Sequence, residues 1–365
     1  MRIRPYPLML RLLPFLFLTV ALPVRAEPYL AIQMGLKCGQ CHINPTGGGE
    51  RTVFGNTFAQ DILPYKRIDT GSDVWTGEIN KFLSVGGDLR FQASYTKVPD
   101  SNGFFQFDLE QARVYLDASP IPNRLMVYVD EQVAPGGALN REAYGMYWSE
   151  DHVWYVKGGQ MYLPFGFRLQ DQTAFVMTTS GINMTTPDKG VEFGYEKGPW
   201  DAQFTVSNGT AGGAATNNGK QYGGQLIFVQ PVWRVGVAAN DNTASALGNK
   251  TAYALFAGLR TGPISWLGQA EYVDDNSQGT GIKSTAGLIE GNWLIVRGNN
   301  LKITGEYYRP NTNIANNAQN RWSVVYELTP IQFVQLRAGF RINDGIPQAP
   351  SQHERFGFIE LHGFF

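Results

Sequence analysis

Between Leu83 and Phe365 one pattern recurs. Segments of roughly 8 to 14 residues alternate apolar and polar side chains and are divided by clusters of Gly, Pro, Asn, Asp and Ser. Trp322, Val324, Tyr326 and Leu328 share a face opposite Arg321, Ser323, Val325 and Glu327. Val334, Leu336, Ala338, Phe340 and Ile342 oppose Gln335, Arg337 and Arg341, and Val191, Phe193 and Tyr195 oppose Glu192 and Glu196. Successive side chains of a strand point to opposite faces, so each segment is a strand with one apolar side. A soluble sandwich also alternates. Here the number of segments is about sixteen, and their connections alternate between short and long. The short ones include Ser119–Asn123, Glu150–Asp151, Lys197–Pro199, Gln230–Pro231, Gly262–Pro263, Gly298–Asn299 and Thr329–Pro330. The long ones include Asn208–Lys220, Asp241–Asn249, Asp274–Gly281, Asn311–Ala318 and Asn343–Gln352. An even strand count puts both ends of the sheet on the short-turn side. The expected fold is all-β, a closed antiparallel barrel.

The apolar faces need an apolar surrounding, and short turns on one side with longer loops on the other is the rule for transmembrane barrels. Trp200, Trp233, Tyr272 and Tyr307 near strand ends suit aromatic girdles, and the terminal Phe364-Phe365 resembles the closing signature of barrels inserted into the bacterial outer membrane. One connection breaks the rhythm. The stretch from Met161 to Pro187 is too long for an ordinary loop. In a porin it would resemble the third loop, which folds inward and narrows the pore; the alternative is one more hairpin.

Composition removes other classes. Charged residues make up 17% and aromatics 13%, the reverse of a disordered chain. With 30 basic and 31 acidic residues the chain is no generic nucleic-acid binder. Outside the N-terminus no apolar run reaches the ~20 residues of a membrane helix. No Ser-His-Asp triad, paired-carboxylate site or nucleotide fingerprint can be argued, so no hydrolytic or transferase chemistry is expected.

Residues 1–26 have the form of a secretory signal: Arg2 and Arg4, an apolar stretch from Leu8 to Leu22, and Val24-Arg25-Ala26 before a cleavage point. An uncleaved anchor is the rival reading. Cleavage removes four arginines and gives the mature chain a net charge of −5.

Residues 27–82 lack sustained alternation and hold both cysteines, in Cys38-Gly39-Gln40-Cys41-His42. C-x-x-C-H is the attachment signature of a c-type haem. Two thiols bond to the two vinyl groups, and the adjacent imidazole reaches the iron as an axial ligand. Export supports this over a lone disulfide or a thioredoxin-like pair, which needs a βαβ setting. A zinc site would need two more nearby ligands, and His152, His353 and His362 are distant in sequence. The second axial ligand stays open among His152, His362, Met34, Met161, Met177, Met184 or none. Gly47-Gly48-Gly49 lacks the ending of a phosphate loop and is expected to let backbone pass close to the haem.

An exported single C-x-x-C-H unit with Pro45 and Phe54-Gly55-Asn56 behind it, followed by a barrel to Phe365, resembles the fused monohaem cytochrome-porins of the bacterial outer membrane. The barrel, with Gly158–Gly166, is also similar to phosphate-selective-type porins. Its mixed lumen charges, Arg113, Lys157, Arg337 and Arg341 with Glu192, Glu271, Glu306 and Glu327, do not indicate anion selectivity. The resemblance implies a signal peptide (1–26), a cytochrome c-like plug with one covalent haem c (27–82) and a barrel (83–365). It further implies an electron conduit through that haem, between an external donor or acceptor, such as Fe(II), and a periplasmic c-type cytochrome. Two other readings stand beside it: a diffusion porin with a structural or gating haem, and a haem enzyme such as a peroxidase, for which no distal acid–base pair is in view.

Overall fold

Each strand of the sheet pairs with its neighbour in sequence, which is what short connections between alternating segments dictate. The computed structural model describes residues 27–365 except Ser72, Thr280 and Gln348; the signal-peptide segment lies outside the described residues. A short strand, β1 (Glu78–Asn80), pairs with the start of β2 (Leu83–Lys97). Then follow β3 (Phe104–Ile121), β4 (Leu125–Ala134), β5 (Leu139–Trp148), β6 (Trp154–Met161), β7 (Asp188–Lys197), β8 (Trp200–Ser207) and β9 (Gln221–Val229). The second half is β10 (Trp233–Asn242), β11 (Lys250–Thr261), β12 (Ile264–Asp275), β13 (Ile282–Val296), β14 (Asn299–Arg309), β15 (Gln319–Ile331), β16 (Val334–Asp344) and β17 (Glu354–Phe364). β17 pairs back onto β2, with Leu361 opposite Phe91, so β2–β17 form a closed antiparallel barrel of sixteen strands. The N–H and C=O of Phe365 complete the seam against Gly87, both at 3.1 Å.

The predicted faces hold. Trp322, Val324 and Tyr326 are exposed on the outside, as are Leu336, Phe340 and Ile342, while Arg321, Glu327 and Arg337 are buried in the lumen. Trp200 and Trp233 lie outside beside the short turns, and Tyr272 and Tyr307 lie outside toward the long loops. The last two residues divide. Phe365 is exposed, in phase with Ile359 and Leu361, but Phe364 turns inward and is 5% exposed.

The stretch after Met161 is no additional hairpin. It is the third connection on the long-loop side, and it folds into the lumen with one short helix, α3 (Phe175–Thr179). Gln269 Oε1 accepts from the Phe167 N–H at 2.8 Å, and Glu306 Oε2 accepts from the Phe175 N–H at 2.7 Å. The mixed lumen charges pair with one another: Arg113 with Asp130 at 2.8 Å, Lys157 with Glu192 at 2.8 Å, Arg337 with Glu360 at 3.0 Å.

Residues 27–70 enter from the short-turn end. Helix α1 (Pro28–Met34) starts on a proline suited to its first turn, packs on β11 and β12, and ends at Gly35. Gly35 has φ +68°, and a Cβ there would lie 2.7 Å from the Pro231 carbonyl oxygen in the β9–β10 turn. Gln33 donates to the Gly262 carbonyl at 3.2 Å, the Tyr65 N–H to Thr329 at 2.7 Å, and Arg297 to Pro64 at 2.6 Å, all at short turns. On the opposite wall Asn44 donates to Glu142 of β5 at 2.8 Å, so the segment crosses the lumen.

Candidate functional site

Cys38–Gln40 form one turn of 3-10 helix, closed by Cys41 and His42 N–H groups donating to the Cys38 carbonyl at 3.1 and 3.0 Å. The tight turn is what brings the two thiols of a C-x-x-C spacing together. His42 then bridges Arg51 as an antiparallel pair, flanked by Ile43 N–H to Glu50 O and Thr52 N–H to Cys41 O, each 3.0 Å. Thr52 caps α2 (Val53–Thr57) by accepting from the Gly55 N–H at 3.1 Å. Gly55 is required by close approach: a Cβ would sit 2.1 Å from the Cys41 carbonyl oxygen. Of the expected glycine run, Gly47 does lie against Cys38, whereas Gly48 and Gly49 face Met184 and Tyr128 instead.

Cys38, Cys41 and His42 line one cavity, whose non-atom space is about 1350 Å³ counted out through its mouth. Met34, Leu36, Phe58, Leu63, Phe167, Ile227, Phe256 and Phe364 supply apolar wall, and Arg51, Arg90, Arg168 and Arg234 supply cations. Phe167 and Arg168 come from the inward-folded loop, so that loop roofs the cavity that the plug floors. The Nδ1 atom of His42 is sealed from solvent, the ring lies near the Gly49–Glu50 backbone, and the residue lines the cavity. Burial, then the nearby Arg51, lowers the imidazole pKa to about 4, so it is neutral and a competent metal ligand at neutral pH. Burial raises the Cys41 thiol to about 11 and raises Cys38 as well. Both thiols are unpaired and neutral.

The barrel has the fold of the outer-membrane porins. Vibrio cholerae OmpT, in a form lacking loop L8, matches with TM-score 0.61 and 12% identity over 78% of this chain and 99% of that one. An anion-selective porin from Comamonas acidovorans matches with TM-score 0.60 and 11% identity over 78% and 99%. The channel DcaP of Acinetobacter baumannii matches with TM-score 0.60 and 13% identity over 78% and 97%. No family model matches the chain, and no curated protein does. At these identities the likeness is one of fold.

The structure sorts the candidate axial ligands. His152 sits on the β5–β6 turn with φ +51°, its ring tilted against Trp148, and it does not line the cavity. Met161, Met177 and Met184 are fully buried and do not line it. Met34 and His362 do. His362, however, has both ring nitrogens engaged: Nδ1 with Gln335 at 3.0 Å, and Nε2 with Asp88 at 2.9 Å and Arg90 at 3.0 Å. The sequence reading assigns neither the cavity arginines nor Phe364 to this site, Phe364 being read only as part of the closing aromatic pair. The available signal was an arginine on an inward strand position, as at Arg234 opposite Val235 and Val237, but lumen arginines are common enough to hide it.

Proposed function

We propose that the chain is an outer-membrane electron-transfer protein, a porin-like barrel carrying one covalent c-type haem in the cavity at its short-turn end. The observation that carries this reading is the convergence of both cysteines and a neutral, cavity-facing histidine on a single large apolar cavity edged by arginines. Each part fits the group. Cys38 and Cys41 would hold it by thioether bonds, and His42 Nε2 would ligate the iron. Met34, which lines the cavity, would be the second residue to hold the group, because both ring nitrogens of His362 are engaged elsewhere. When bound, the haem supplies one-electron redox chemistry. The chain's own residues exclude water with Phe58, Phe167, Phe256 and Phe364, and keep His42 neutral by burial.

The plug is held against the short turns, which supports a reading in which a periplasmic c-type cytochrome exchanges electrons at that end; the inward loop lies on the other side of the cavity, toward the outside, where Fe(II) is the donor suggested by the resemblance. The test is the oxidised and reduced absorption spectrum of the full-length protein extracted from outer membranes, with and without Fe(II). The reading requires a c-type haem spectrum that disappears in the Cys38→Ser, Cys41→Ser double variant and a haem that Fe(II) reduces. A colourless wild type would reject it. The likeness to porins favours a second reading, a diffusion porin with a structural or gating haem, which requires solute conductance that the plugged lumen opposes.

A further inference from the structure

Of the four arginines on the cavity wall, three are already committed. Arg90 pairs with Asp88 and Glu360, each at 3.1 Å. Arg168 donates to the Gly47 carbonyl at 2.6 Å, and Arg234 donates to the carbonyls of Ala31 and Leu36 at 2.8 and 2.7 Å. Arg51 differs. Its guanidinium lies over the Phe364 ring, 4.6 Å from the centroid, and makes no hydrogen bond or ion pair with any described residue. The carboxylate that acts on it electrostatically, Asp88, is taken by Arg90 and by His362 at 2.9 Å. Arg51 is partly buried on this wall, open to the cavity it lines. A guanidinium laid flat on an aromatic face still presents its N–H edge, which matches a carboxylate through two parallel bonds.

We propose that Arg51 is the anion clamp of this cavity and binds a propionate carboxylate of the haem, an inference that rests on the haem reading above. The haem is an apolar ring bearing two carboxylates, and Arg51 is the cavity arginine that can receive one without giving up another partner. The bridge between Arg51 and His42 ties the clamp to the proximal ligand, so the haem is fixed at its iron and at an acidic edge by adjacent positions of one hairpin. Phe364 acts as the positioning residue that holds the guanidinium plane. Phe364 shares the lumen face of its strand with Phe356, Phe358, Glu360 and His362, so its ring is held beneath Arg51 by the ordinary alternation of the strand.

The experiment is a redox titration with resonance Raman spectroscopy on the full-length wild type, Arg51→Gln and Arg51→Lys. A cation beside the haem favours the reduced state, which carries one more electron. Arg51→Gln should shift the reduction equilibrium about tenfold toward the oxidised form, ~59 mV for one electron. Arg51→Lys should keep most of the potential but lose the paired bonds, so the propionate bending band should move in both variants. A purely structural Arg51 would leave that band in place. Wild-type potential and band in the variants, with haem bound, would overturn the proposal. A wild type without haem would instead overturn the parent reading, and the two failures are separated by the absorption spectrum alone. If Arg51→Gln does not yield a folded barrel, the band position in Arg51→Lys decides.

Discussion

Arg168 Nη1 donates to the carbonyl oxygen of Gly47 at 2.6 Å, joining the inward-folded loop to the N-terminal plug in the middle of the lumen. The two segments therefore close the barrel together. One enters between the long loops and the other between the short turns. The same guanidinium also reaches the Tyr162 carbonyl at 3.2 Å and so holds the start of its own loop. We expect planar-bilayer recordings of the wild type to show conductance far below that of an open sixteen-strand barrel. Arg168→Ala should raise the frequency of openings, because a hydrogen bond from a charged donor is worth about 1.5–3 kcal/mol. Steady, large conductance in the wild type would contradict a plugged lumen.

Two residues on the cavity wall separate the remaining axial candidates. His362 already satisfies Asp88 and Gln335, and its removal from those partners would leave Arg90 and Asp88 with fewer bonds. Met34, at the end of α1, has no such commitment. Met34→Ala is expected to convert a low-spin haem spectrum to one with an open position that takes up exogenous ligands. His362→Gln is expected to leave the spectrum low-spin. The opposite pair of results would assign the ligand to His362.

The barrel was readable in the sequence because its physics is local. A lipid-type outer face forces alternation at each of Trp322, Val324 and Tyr326, and a two-sided environment repeats that demand strand after strand. The inward third loop was also legible, through its length. The cavity was not. Its wall draws Met34 from α1, Arg168 from the loop, Arg234 from β10 and Phe364 from β17, residues related only by closure of the barrel. Phe364 shows the limit most clearly. Alternation from Ile359 and Leu361 already turns Phe365 outward and Phe364 inward, but only closure of the barrel brings Phe364 against Arg51 of the plug.

The pair Lys157–Glu192 joins β6 to β7 at 2.8 Å with neither side chain exposed, and Lys157 also reaches Asn44 of the plug at 3.3 Å. Removing one partner leaves a buried charge alone, at a cost of about 3–5 kcal/mol. Lys157→Met should therefore lower the temperature at which the folded barrel converts to its unfolded electrophoretic form. Lys157→Met with Glu192→Gln should recover much of the loss. If the double variant is no better than the single one, the cost lies in plug docking through Asn44 and not in the unpaired carboxylate.

Glu50 sets a pH dependence on the plug. Its side chain is 1% exposed. Burial raises its pKa from 4.5 to about 7, opposed by the neighbouring Ser84 hydroxyl and reinforced by Asp117 and Asp130. The docked state thus binds a proton more tightly than the undocked chain. Its contribution to stability is present below pH 4.5 and is lost as pH rises through about 7. A shift of this size corresponds to roughly 3 kcal/mol at most. Glu50→Gln isolates this effect. Amide exchange across residues 43–60 should be slower in Glu50→Gln than in the wild type at pH 8, once corrected for intrinsic rates, and the difference should shrink at pH 5. Equal protection of the two proteins at pH 8 would mean that the Glu50 carboxylate ionises in the docked plug without penalty.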